Sequence, residues 1–337
     1  MTISPAGGPD SGRGATSTAR RDREVAGPAG TGAARTGSRA TPTTAESLFD
    51  LSRGRQATLS IAQPGLAAVL AAGGMPGARV VAIGLVAAWA GFFAVFSLND
   101  VLDRRVDAAA LRAGKAEVDG YDLDAAFLRH PLAQGALSLR LSLVWVAGLV
   151  LVAAAGAWLL GPQCLGLFAV AVALEVVYCG LRSVTWAKTI VSGVMVGCGG
   201  LAGWAAVAPL HWSALPVFVF LALWEIGCRN LANDLADLGP DRAVGIRTVA
   251  TTFGPAVATR ANLAVATAVL LTVPFLGLSG WGLAAALASG AFLVAWPAVR
   301  LYRDPSSARA GWYFNVASLY PVAVLLAAGG AWAAGRL

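Results

Sequence analysis

Long apolar runs separated by short charged loops set the layout of the chain. The runs cover approximately residues 58 to 73, 79 to 98, 137 to 160, 163 to 181, 189 to 208, 214 to 230, 258 to 276, 279 to 299 and 311 to 333. Each is near the roughly 20 residues that carry a helix across a bilayer, the first being the shortest. None alternates with the two-residue period of a barrel strand, and backbone inside hydrocarbon must satisfy its own hydrogen bonds, so the runs predict helices. The expectation is an all-α, polytopic membrane protein with about nine transmembrane helices, in a domain spanning residues 55–335.

Composition agrees. Mean hydropathy is +0.67, 57% of residues are hydrophobic and only 13% are charged, values that fit a membrane bundle and exclude an ordinary soluble domain. The charges are also unevenly distributed. Loops after the second, fourth, sixth and eighth runs carry Arg104, Arg105, Arg112, Lys115 and Arg129, then Arg182 and Lys188, then Arg242 and Arg247, then Arg300, Arg303 and Arg309. The alternate connections are nearly bare, with Arg79 and His211 their only basic or titratable groups. The positive-inside rule then places the N-terminus in the cytoplasm and the C-terminus outside, in a bacterial cell (inner) membrane. The net charge of +7 reflects that topology and anionic headgroups, and nucleic acid is excluded as a partner.

Residues 1–45 differ from the rest. They are rich in Gly, Ala, Ser, Thr, Pro and Arg without an apolar period, which predicts a disordered N-terminal tail. No 7 to 15 residue apolar core marks a signal peptide, so cleavage is not expected, and Asp10, Asp22 and Glu24 argue against a transit peptide. Cys164, Cys179, Cys198 and Cys228 lie in or beside apolar runs without paired spacing and read as buried, inert thiols.

The chemistry is concentrated in two strings. Asn99-Asp100-Val101-Leu102-Asp103-Arg104-Arg105-Val106-Asp107 and Asn233-Asp234-Leu235-Ala236-Asp237-Leu238-Gly239-Pro240-Asp241 share the pattern N-D-x-x-D-x-x-x-D and hold six of the thirteen aspartates. On a helix, positions 100, 103 and 107 share one face, as do 234, 237 and 241. Clustered carboxylates repel one another unless a cation sits among them. Mg²⁺ is the natural candidate, a hard ion usually held by one or two carboxylates together with substrate phosphate oxygens.

The strings lie 134 residues apart, each just after an even-numbered run, so both are expected on one membrane face. Two such clusters facing one cavity can hold metal ions on either side of a diphosphate and stabilise charge on the departing pyrophosphate. An apolar tunnel among the helices would house an isoprenoid chain and shelter an allylic carbocation from water.

These two strings resemble the aspartate-rich motifs of the UbiA superfamily of intramembrane prenyltransferases, and the resemblance covers roughly residues 55–333. His130-Pro131-Leu132-Ala133-Gln134-Gly135-Ala136-Leu137-Ser138 is similar to the family's R-P-L-x-x-G-x-x-S. Asp241-Arg242-Ala243-Val244-Gly245-Ile246-Arg247-Thr248 is similar to its segment after the second motif, and Tyr178-x-x-x-Arg182-x-x-Thr185 to its Y-x-x-x-K-R-x-T string. The resemblance implies nine helices around a central cavity, with Asp100, Asp103, Asp107, Asp234, Asp237 and Asp241 as metal ligands, directly or through water. Asn99 and Asn233 would support them by hydrogen bonds. Departures are His130 where the family usually has Arg, Arg182 where it often has Lys, and a longer stretch from Ala108 to Arg129. That stretch carries Lys115, Glu117, Asp119, Asp122 and Asp124 and reads as an extended cap able to close as a lid.

Further candidates surround this set. Tyr178, Arg182, Lys188 and Arg247 are candidate contacts to the diphosphate, the rival reading being interfacial aromatic and cytoplasmic anchors. Glu225 and Arg229 are spaced to pair at i, i+4, yet an ionisable residue inside a span is a functional candidate, as is Glu175. His130 is either a base or a loop residue, and Trp204 or Trp224 can line the tunnel. The expected function is a Mg²⁺-dependent prenyltransferase that ionises a prenyl diphosphate and alkylates an aromatic, quinone-precursor or lipid acceptor. A terpene cyclase of the same superfamily is the alternative, since it shares the ionisation but quenches the cation internally. A secondary transporter or a membrane scaffold is more remote, because the carboxylates lie at helix ends and not at the midplane.

Overall fold

The computed structural model describes residues 42–113 and 122–335. Residues 1–41, most of the expected tail, lie outside the described residues, as do Lys115, Glu117 and Asp119. The Thr43 side chain accepts from the Glu46 N–H, and the Glu46 carboxylate accepts from the Thr43 N–H at 2.7 Å, a reciprocal cap that starts α1 (Thr44–Leu51).

Two short helices follow, α2 (Gly54–Ser60) and α3 (Ala62–Ala72), then the long α4 (Ala78–Arg112), α5 (Leu139–Leu160), α6 (Pro162–Leu181) and α7 (Lys188–Ala205). Next, α8 (Leu215–Trp224) runs through a π-helical stretch, Glu225–Leu231, into α9 (Ala232–Ala236). The short α10 (Leu238–Val244) and α11 (Val249–Phe253) lead to α12 (Pro255–Thr272). Then α13 (Gly280–Gly290), α14 (Trp296–Arg303), α15 (Ser307–Ala317) and α16 (Tyr320–Ala333) complete the chain. No strand occurs among the described residues.

All nine expected apolar runs are helical. Among the described residues, seven stretches are long and apolar enough to cross a membrane: Ala78–Arg112, Leu139–Leu160, Pro162–Leu181, Trp212–Ala236, Pro255–Leu276, Gly280–Arg303 and Ser307–Ala333. The two remaining runs fall on the end of α2 with α3, the latter only 11 residues long, and on α7, with 18. Leu151, Phe275 and Phe292 project outward, each about 70% exposed, as residues facing lipid would.

Sequential helices pack side by side from α4 to α8, and α3 lies against both α7 and α16. Close helix approach requires small residues at the crossings. A Cβ at Gly203 of α7 would run into the Pro64 carbonyl of α3, and one at Gly156 of α5 would meet the Ala87 Cβ of α4 at 2.7 Å. The larger buried core joins α8, α12, α15 and α16 through Phe220, Leu221, Trp224, Val269, Tyr313 and Tyr320.

The two acidic strings are built differently. The first lies on the last turns of an uninterrupted α4, so Asp100, Asp103 and Asp107 share a helical face as expected. The second does not occupy one regular helix: Asp234 is on α9, Asp237 stands at the junction with φ −94° and ψ 13°, and Asp241 is on α10. Pro240 explains the break, because a proline is tolerated in the first turn of a new helix and not in the interior of an old one. Backbone bonds from Asp237 N–H to Asn233 O and from Asp241 N–H to Asp237 O, both 2.9 Å, keep the helical rise across the junction.

Candidate active site

Both strings open onto one cavity of about 640 Å³. Asp103 and Asp107 line it from α4, while Asn233, Asp234, Asp237 and Asp241 line it from the second string. Asp100 is buried behind that surface, with Arg53 Nη2 and His130 Nδ1 each 3.5 Å from its Oδ1. His130 Nδ1 also lies 3.3 Å from Asp107 Oδ2.

Side-chain cations are distributed among these carboxylates. Arg182 pairs with Asp103, and Lys188 Nζ lies 3.6 Å from Asp234 Oδ1. Lys188 also donates to the Tyr178 hydroxyl at 3.3 Å and sits 4.9 Å from the centre of that ring. Tyr178, Arg182 and Lys188 thus gather at the carboxylates, all three lining the cavity. Asn99 lines it too and bridges two elements, accepting from Arg53 at 3.2 Å and donating to Glu175 at 2.8 Å. Arg247 is not brought there. Its side chain is exposed, and its backbone N–H donates to the Arg182 carbonyl at 2.7 Å.

A second polar group lies along the cavity wall at the π-helical stretch. Glu225 accepts from Ser192 at 3.1 Å and Asn230 at 2.7 Å, and its Oε2 is 3.4 Å from Arg229 Nε. The expected i, i+4 pairing is therefore present, within a larger network. Arg229 stacks over Trp224 and Phe314, and Gln56, with its amide oriented to its partners, accepts from Arg229 and donates to Asp124 at 2.6 Å.

Asp50, Arg53 and Gln56, on α1, α2 and the turn between them, have no counterpart among the residues singled out from the sequence. Buried Asp50 accepts backbone N–H groups of Ala126, Phe127 and Leu128 at 2.6 to 2.7 Å. Arg55 donates to the carbonyls of Asp122 and Ala125, and Leu123 is wholly buried. The described part of the expected cap is thus pinned to the bundle, and it sets Asp124 and His130 in the cavity wall. Arg53, the centre of this group, lies 3.5 Å from both Asp100 and Asp124. Burial opposes its charge, but Asp124, Asp100 and Asp107 outweigh that and raise its pKa. Burial, reinforced by Asp124, raises the Asp122 carboxyl despite its pair with Arg129.

Beyond the polar end the cavity is apolar. Phe92, Phe96 and Phe168 line it with Val80, Val95 and Leu167. Neither expected tryptophan does so: Trp224 is buried in the core with its indole N–H on the Ala317 carbonyl at 2.9 Å, and Trp204 packs against the same core. The four cysteines are free and buried, as expected.

The sequence profile of the UbiA prenyltransferase family matches residues 60–319. The chain belongs to that family. Solved UbiA structures share its fold. The apo UbiA homologue from Aeropyrum pernix K1 is 20% identical, with a TM-score of 0.65 over 83% of this chain and 98% of that one. A digeranylgeranylglyceryl phosphate synthase is 12% identical, with a TM-score of 0.61 over 85% and 99%. A UbiA homologue from Archaeoglobus fulgidus bound to DMAPP and Mg²⁺ is 16% identical, with a TM-score of 0.59 over 82% and 98%. No curated protein matches the sequence. UbiA membership and the apolar helices make this an integral membrane protein.

Proposed function

We propose that this UbiA member ionises a prenyl diphosphate and transfers the prenyl group to an aromatic, quinone-precursor or lipid acceptor within the membrane. The observation that carries the reading is the convergence of two matched acidic strings on one end of a cavity whose other end is apolar. Mg²⁺ fits that end: Asp100 Oδ1 and Asp234 Oδ2 are buried carboxylate oxygens without a hydrogen-bond donor, and hard oxygen donors suit this ion. The relative bound to DMAPP and Mg²⁺ supports the same choice. Asp100, Asp103, Asp107, Asp234, Asp237 and Asp241 would hold the cation, which supplies Lewis acidity toward the leaving pyrophosphate.

The remaining roles follow from the chain's own groups. Lys188 and Arg182 exchange their carboxylate partners for diphosphate oxygens and orient the leaving group, with Tyr178 positioning the Lys188 ammonium. Asn99 holds Arg53 against the first string. Phe92, Phe96 and Phe168 enclose the isoprenoid chain, exclude water and offer ring faces to the allylic cation. Glu225, Ser192 and Asn230 form a polar anchor on the cavity wall for an acceptor, which favours transfer over cyclisation.

The test is to incubate purified membranes with Mg²⁺ and prenyl diphosphates of increasing length, with and without candidate acceptors, and to identify products by mass. Prenylated acceptor is the expected product. Pyrophosphate release with a hydrocarbon or terpene alcohol in acceptor-free reactions would instead establish the cyclase. The proposed orientation puts both acidic strings in the cytoplasm and Leu337 outside. Cysteines placed at positions 105 and 247 should therefore resist labelling in intact cells while one near 337 reacts, and external labelling of both aspartate loops would refute that topology.

A further inference from the structure

The chain has only two histidines, and one of them, His130, packs against the carboxylates of the first acidic string. His130 is buried at 8% exposure, and neither ring nitrogen makes a hydrogen bond. Its Nδ1 points between two carboxylates, 3.3 Å from Asp107 Oδ2 and 3.5 Å from Asp100 Oδ1, and one donor atom from each of the three residues falls within 4.8 Å of the others. We propose that His130 is a nitrogen ligand of the cation at the first string, so that Asp100, Asp107 and His130 form a site favouring a borderline transition metal such as Co²⁺ or Ni²⁺ over Mg²⁺. The inference rests on the function proposed above only for the presence of a cation there.

Three observations support it. A buried imidazole whose nitrogens make no hydrogen bond is costly unless something else uses its lone pair. The backbone at His130 has φ +51°, a conformation uncommon outside glycine, and strain of this kind gathers at ligand-holding sites. The segment that imposes it is fixed by the three N–H bonds to Asp50, so the ring is held in place before any ion arrives. The donor chemistry then sets the preference: imidazole raises affinity along the series from Mn²⁺ through Co²⁺ to Ni²⁺, whereas Mg²⁺ favours oxygen. The second string has no such donor, since Asp234, Asp237 and Asp241 offer oxygen alone. The two strings therefore differ in metal preference, the first borderline and the second hard.

The experiment uses the full-length protein in detergent, purified on a tag without histidine and loaded with Mn²⁺. Pulsed EPR should show ¹⁴N coupling from a bound imidazole, retained in His211→Asn, where His130 is the sole histidine. It should vanish in His130→Asn, a residue that tolerates the same backbone conformation. Co²⁺ affinity in His130→Asn should fall about tenfold or more, the scale on which losing a contact that merely supports a ligand weakens a site. Mg²⁺ affinity should change much less. Bound Mn²⁺ without nitrogen coupling in the His211→Asn protein overturns the inference even if His130→Asn fails to fold. Prenyl diphosphate turnover with Mg²⁺, measured in the same preparations, separates the two readings. Turnover without nitrogen coupling removes only the His130 ligand, and nitrogen coupling without turnover on any prenyl diphosphate removes only the proposed reaction.

Discussion

EDTA is expected to abolish turnover completely, and excess Mg²⁺ to restore it. The charge balance of the cavity wall gives the reason. Among the described residues, eight carboxylates line it, those of Asp103, Asp107, Asp124, Glu175, Glu225, Asp234, Asp237 and Asp241, against four side-chain cations, Arg53, Arg182, Lys188 and Arg229. Each of those cations already faces a carboxylate: Arg53 faces Asp100 and Asp124, Arg182 faces Asp103, Lys188 faces Asp234 and Arg229 faces Glu225. A diphosphate entering without divalent cations would meet net negative charge, and it could recruit Lys188 or Arg182 only by leaving a carboxylate uncompensated. Unpaired charge in a water-poor site is strongly disfavoured. Mn²⁺ should also restore turnover, since it accepts oxygen ligands as well. Steady turnover in rigorously metal-free buffer would refute the proposed chemistry.

The features of this site that are local in sequence were legible, and those made by distant contacts were not. The acidic strings and the apolar runs each lie within a few turns of helix, so spacing alone places Asp100, Asp103 and Asp107 on one face of α4. The break at Asp237 had a local signal as well, Gly239-Pro240, which predicts a helix restart once the missing proline N–H is considered. The α1 and α2 residues gave no comparable sign. Thr43 and Glu46 form a readable capping pair, but the value of Asp50 and Arg53 lies in partners 46 to 78 positions away. Nothing in the local pattern distinguishes either from a solvated charge. The placement of Arg247 was misleading for the converse reason. It follows Gly245, which turns the chain at φ +75°, and the turn brings its backbone N–H to the Arg182 carbonyl while the side chain is exposed. Trp204 and Trp224 show the limit of composition: large aromatics suit a tunnel wall and a core equally well, and helix rotation decides between them.

The variants Asp100→Asn and Asp234→Asn are each expected to reduce kcat by at least about a hundredfold, because each removes a charged ligand whose effect on the departing pyrophosphate is typically worth several kcal/mol. If these aspartates merely capped helices, their loss would cost about 0.5 to 2 kcal/mol of stability and leave chemistry largely intact. Burial complicates the comparison. Lys188 and Asp234 are both nearly inaccessible, so Asp234→Asn strands a buried ammonium, and breaking such a pair costs about 3 to 5 kcal/mol. Rates should therefore be taken on protein that is monodisperse and shows a thermal transition, alongside Asp107→Asn and Asp237→Asn, whose carboxylates reach the cavity surface and for which the same direction of loss is expected. Asp304→Asn is the control: its carboxylate is half-exposed, pairs with Arg309 at 2.9 Å between α14 and α15, and does not line the cavity, so turnover should be unchanged. Motif variants that fold, insert and turn over near the parental rate would show that the acidic strings are not the site of ionisation, while leaving membership of the UbiA family untouched.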